Sequence, residues 1–207
     1  MQVASVSLHR RLAPEDQARA DLYAVLARLF ADAPDAAFLA ALGAAERLAD
    51  SQANPVAAAW NRLLDASGAM HADAAAQEYT DLFVGVGKSD VNLHASHWES
   101  GFMMEKPLAD LRGELDGLGL ARKGAATMLE DHLAALCETM RIMIAGVGDR
   151  APSSMTEQRN FFQKRLLPWI FDCCAAIEKS SLANYYRRVA EFTTLFMALE
   201  RDSIAME

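Results

Sequence analysis

Apolar residues recur with a helical period along nearly the whole chain. Between Glu15 and Ala31 the set Leu22, Val25, Leu26, Leu29 and Phe30 falls at i, i+3, i+4, i+7 and i+8, the stripe of an amphipathic helix, with Pro14, Glu15 and Asp16 at its start. Pro34 and Asp35 restart the chain into a second helix to about Ala49. Asn54 followed by Pro55 gives a cap and a first helical position to a third, which reaches Ala66 and ends at Ser67-Gly68. A fourth runs from about Asp73 to Phe83 and stops at Gly85-Val86-Gly87, because glycine takes the left-handed conformation that closes a helix.

Residues 85–97 form the longest loop, polar but carrying Val91 and Leu93, with Trp98 just beyond; such a loop is expected to be pinned on the surface. Pro107 opens a short helix through Leu118. The most periodic segment follows, from about Ala125 to Ala145, with Leu129, Leu133, Leu136, Met140 and Ile144 on one face; it is expected to be the central helix. After a break at residues 146–151, Ser153 or Ser154 caps a helix to Leu167, Pro168 starts or kinks another through Glu178, and Asn184 to Arg201 forms the last.

Composition agrees with an all-α, single-domain bundle of about eight to ten helices covering residues 1–207. The chain is 52% hydrophobic, long enough for one substantial core, and holds only eleven glycines and six prolines. The net charge of −8 argues against a nucleic-acid partner, which needs a concentrated positive field, and favours a cationic peptide. Nothing is long and apolar enough to insert stably in a membrane. Cys137, Cys173 and Cys174 lack metal-binding spacing, and two are adjacent, where a bridge would be strained; they read as reduced core residues.

Several polar groups invite a chemical reading. Asp131 and His132 are expected in the first turns of the central helix, where a carboxylate favours the positive end of the dipole; the plain reading is a capping acid beside a hydrogen-bonded histidine. His94 and His97, three apart, with Asp131 and His132, could serve a metal-dependent helical hydrolase, but no further histidine or cysteine pair completes a shell. Ser96, His97 and Glu99 are too close in sequence for a nucleophilic triad, and Gly85-x-Gly87-Lys88-Ser89 lacks the first glycine of a phosphate loop, which leaves nucleotide binding without a motif. No catalytic residue, metal or cofactor is assigned. Tyr79, Leu82 and Phe83 share one helix face and read first as core. Tyr185-Tyr186-Arg187-Arg188 reads as a core face beside a solvated one.

Order and spacing carry a further message. Tyr79, Leu82, Phe83, Gly85, Gly87, Ser96, Trp98, Asp131 and His132 follow one another as the corresponding residues do in the TorD/DmsD family, which this chain resembles over most of its length. Phe161-Phe162, Leu167-Pro168-Trp169 and Tyr185-Tyr186-Arg187 extend the match, as does Met103-Met104-Glu105-Lys106-Pro107-Leu108. The chain departs at Met128 and Leu129, where the family has Glu and Pro, and at Tyr79 and His94, where relatives carry tryptophan. The resemblance implies a cytoplasmic, non-catalytic chaperone that binds the twin-arginine signal peptide of a molybdoenzyme subunit, as a monomer or a helix-exchanged dimer. It implies a peptide site of Tyr79, Leu82, Phe83, His94, Ser96, Trp98, Glu130, Asp131 and His132, with an acidic end for the arginines and an apolar trough for the rest. The runs around Gly85 and Gly101 are most similar to the branch serving formate dehydrogenases. Arg10-Arg11 imitates a twin-arginine signal, but Pro14, Glu15 and Asp16 follow where an apolar export segment would begin.

Overall fold

The computed structural model describes residues 12–49, 54–85, 87–101, 106–120 and 128–205; Arg10-Arg11, the Phe102–Glu105 run and the expected start of the central helix at Ala125 lie outside them. Among the described residues there are ten α-helices and no strands. They are α1 (Pro14–Ala31), α2 (Ala36–Gly43), α3 (Pro55–Ala69), α4 (Ala72–Tyr79), α5 (Ala95–Ser100), α6 (Lys106–Gly117), α7 (Leu133–Ala145), α8 (Met155–Arg165), α9 (Ile170–Lys179) and α10 (Tyr185–Ala205). No helix among them is long and apolar enough to cross a membrane.

The start signals act as read. Asp35 and Asn54 accept the backbone N–H groups of Phe38 and Ala57, and Ser154 forms a reciprocal capping box with Glu157. Helix α1 packs along α7, and α10 packs on α3, α4, α8 and α9. The core between them is rich in aromatics: Tyr23, Phe30, Phe161, Phe162, Tyr185, Tyr186, Phe192 and Phe196 are all fully buried. Glu200 lies in this core, 2% exposed, where its carboxylate accepts from Arg19 and the Tyr23 hydroxyl; a buried charge is tolerated there only because it is paired. The three cysteines are free and buried, and Tyr185 and Tyr186 face inward while Arg187 and Arg188 are exposed.

Helix α10 runs to Ala205, beyond the expected Arg201, and four boundaries elsewhere depart from the periodic reading. Helix α2 stops at Gly43 instead of near Ala49, because Asn61 binds both the N–H and the C=O of Leu48 and the Trp60 indole donates to Glu46 O, drawing residues 44–48 across α3. Helix α3 continues through Ser67-Gly68 to Ala69. Ser67 Oγ returns to Leu63 O, and Gly68 lies so close to Gly43 that a Cβ on Gly43 would come within 2.7 Å of its Cα. The fourth helix ends at Tyr79 and passes into a π-helical turn, Thr80–Val84, closed by Gly85 N–H on Thr80 O at 2.7 Å. Gly85, at φ 64°, is obligatory: a Cβ there would meet Lys88 O at 2.2 Å.

The fourth correction concerns the central helix, which begins at Leu133. Asp131 and His132 therefore precede it and do not occupy its first turns. The long loop also holds a helix that periodicity did not disclose, α5, which the chain joins through His94. The residues leading into α5 and α7 face each other in an isolated antiparallel bridge: Ala95 N–H donates to Asp131 O at 3.0 Å and Leu133 N–H to Leu93 O at 2.8 Å. That bridge brings residues 35 or more positions apart into one corner.

Candidate functional site

The corner is built around the Asp131 carboxylate, which is 1% exposed. Its Oδ2 accepts from Ser96 N–H at 3.1 Å and from Ser96 Oγ at 2.5 Å, so the acid caps α5 from another part of the chain. Its Oδ1 is buried and has no hydrogen-bond partner among the described residues. A buried carboxylate oxygen is costly unless a donor, an ordered water included, satisfies it.

His132 caps α7 through Nδ1, which accepts Ala134 N–H at 3.2 Å, and its ring stands edge to face with that of His94, centroids 4.9 Å apart. Burial, reinforced by His94, drives the His132 pKa down to about 4 against the pull of Asp131. Burial likewise lowers that of His94. Both rings are neutral near pH 7. Burial also raises the Glu99 carboxyl, with Arg165 opposing and Asp131 reinforcing.

Asn92, which sequence reading passed over, organises the outer side. Its Oδ1 accepts His94 N–H at 2.9 Å and faces His94 Nδ1 at 3.0 Å. Its backbone carbonyl accepts the Trp98 indole N–H at 2.8 Å and the Cys173 thiol at 3.8 Å. Its only sequence signal is its type, an Asx residue just ahead of a helix start. Trp98 is half-buried against the core and touches His97 edge to face. Glu130 pairs with Arg112 of α6 at 2.9 Å, an outward link that sequence reading also missed.

Tyr79, Leu82 and Phe83 belong to a second group of side chains. Leu82 and Tyr79 are buried and Phe83 is half-buried. Tyr79 and Phe83 join Phe30 and Tyr186 in a cluster of edge-on and tilted rings, with the Tyr79 hydroxyl on Phe30 O and that of Tyr186 on Leu29 O. One bond, Val91 N–H to Leu82 O at 2.9 Å, ties that cluster to the loop. The loop is flanked by two open hollows that share Lys88, Ser89 and Asp90. One, of about 640 Å³, reaches Asp81 and the exposed Leu182; the other, of about 470 Å³, reaches Asn92 and His97. Among the described residues no three His, Cys, Asp or Glu side chains are placed to hold a metal ion.

Two comparisons bear on identity. The model of a protein family described as "Nitrate reductase delta subunit" matches residues 49–175, well over half of the chain and all of the corner just described. Among curated proteins, no match was found.

Proposed function

The chain belongs to the nitrate reductase delta subunit family, and from that premise we propose that it binds, in the cytoplasm, the twin-arginine leader of a molybdoenzyme catalytic subunit and delays export until the cofactor is inserted. The family is that of NarJ- and TorD-type chaperones, and the chain's role is a chaperone's role in molybdoenzyme maturation. No chemistry is asked of the protein itself. The leader contributes guanidinium groups, each a planar set of donors, to a chain with net charge −8.

One observation carries the reading: Asp131 Oδ1, buried and without a hydrogen-bond partner among the described residues, beside two neutral histidines. An arginine that reaches it forms a charge-assisted hydrogen bond and relieves an unmet acceptor at once. Trp98, Phe83 and His94, all half-buried, are the residues proposed to meet the leader first. Ser96, His132, Tyr79 and Leu82 are buried, with Tyr79 edge-on to Phe83 and His132 edge-on to His94, and Glu130 adds a second acid. The formate dehydrogenase resemblance around Gly85 and Gly101 makes such an enzyme the proposed client. Calorimetric titration with the client's leader, and with the same peptide carrying glutamine for both arginines, tests the reading. Equal affinity for the two peptides overturns it.

A further inference from the structure

The hydrogen bonds around His94 and His132 determine where each ring carries its proton. A backbone N–H can only donate, so the Asn92 atom that receives it from His94 at 2.9 Å is the amide oxygen, whichever way the amide is drawn. That same oxygen lies 3.0 Å from His94 Nδ1. An acceptor at that distance requires a donor, so Nδ1 of the neutral ring carries the proton and Nε2 keeps its lone pair. His132 is the reverse. Its Nδ1 accepts Ala134 N–H at 3.2 Å and cannot be protonated, so the proton sits on Nε2. Among the described residues neither Nε2 has a hydrogen-bond partner.

We infer that Asn92 is a positioning residue that locks His94 in the tautomer opposite to that of His132, so that the corner offers an acceptor at His94 Nε2 and a donor at His132 Nε2 beside the unpaired Asp131 Oδ1. The bridge between residues 94 and 132 holds the two rings in register, centroids 4.9 Å apart. An extended peptide offers the complement, one N–H and one C=O per residue, while an arginine side chain offers donors alone. The pattern therefore suits main chain of the leader at the histidines and an arginine at Asp131. This rests on the leader-binding reading above. Freed from Asn92, the His94 ring can move its proton to Nε2, and an acceptor becomes a donor without any movement of the ring.

The test is long-range proton–nitrogen correlation spectroscopy on the full chain without peptide, followed by calorimetric titration with leader. The wild type is expected to show pyrrole-type nitrogen at His94 Nδ1 and His132 Nε2, and pyridine-type nitrogen at the other two. Asn92→Ala keeps the backbone carbonyl that holds Trp98, and is expected to move the His94 proton to Nε2 and weaken leader binding about five- to twentyfold. Asn92→Asp retains the acceptor and is expected to retain the wild-type tautomer and most of the affinity. A wild-type His94 protonated at Nε2 overturns the inference, even in a protein that will not tolerate the substitutions. So does an Asn92→Ala variant whose tautomer changes while its affinity does not. Leader binding intact with the tautomers reversed sinks only this inference; the assigned tautomers in a protein that binds no leader sink the proposed function and Asn92's part in it.

Discussion

Asp131 and His132 are neighbours in sequence with different duties, and each yields its own expectation. Asp131→Asn keeps the side-chain oxygen that caps α5 but removes the charge, so leader affinity is expected to fall by about 1.5–3 kcal/mol with the fold intact. Calorimetry showing no loss removes Asp131 from the site. His132 links the corner to pH. Its folded pKa of about 4 lies below the ordinary 6.5, so between those values the unfolded chain takes up a proton that the folded chain refuses. The stabilisation is full above pH 6.5 and is lost as pH falls towards 4, by about 3 kcal/mol for a shift of this size. His132→Asn keeps a good cap and does not titrate. Urea midpoints across that range are expected to fall more steeply in the wild type than in this variant, and parallel slopes would refute the assignment.

At the scale of elements, one carboxylate ties two helices. Glu78, on α4, accepts the backbone N–H groups of Asn184, Tyr185 and Tyr186 at 2.8–3.0 Å, capping α10 from outside its own sequence. Glu78→Ala is expected to cost about 2 kcal/mol in chemical denaturation and Glu78→Gln about half of that. Equal stability of all three proteins would show that water replaces the cap. The cap also explains a limit of reading periodicity. An apolar stripe locates α1, α3, α7 and α10 because each buries one face, but where a helix stops depends on which distant group claims its last carbonyls or first amides. Asn61 ends α2 early, and Leu82 O gives its bond to Val91 where the fourth helix turns π-helical.

For the molecule as a whole, α1 and α10 lie outside residues 49–175, which the family model matches, yet pack on the helices within them, so the core is stabilised by segments beyond that match. Two tryptophans report on the core and the corner separately. Trp169 is 2% exposed with its indole on Arg165 O at 2.8 Å, whereas Trp98 is half-buried and held by Asn92 O. Trp169→Ala is expected to cost about 3–5 kcal/mol of folding stability and to leave the surviving folded fraction binding leader normally. Trp98→Ala is expected to cost less stability and more affinity, with indole fluorescence in the parent shifting on leader binding. If both variants unfold equally and the folded remainder of each binds as before, Trp98 is core and recognition lies elsewhere.

The helical class, most of the elements, the inward tyrosines of α10 and the family were all legible in the unfolded string of residues. They follow from local causes: side-chain period, Pro and Asx punctuation, and the order and spacing of a few residue types. Ser96, Asp131 and His132 also stand out there, but the apolar stripe that includes Leu129 places the last two on a helix, whereas the helix begins only at Leu133. It took the folded chain to turn that stretch at Glu130-Asp131, bridge His132 to His94, and place Asp131 where it caps a helix 35 residues upstream. Asn92 and Arg112 were invisible for the same reason. A hydrogen bond or ion pair between distant segments has no period and leaves no local pattern, and it exists only once the fold has brought its two partners together.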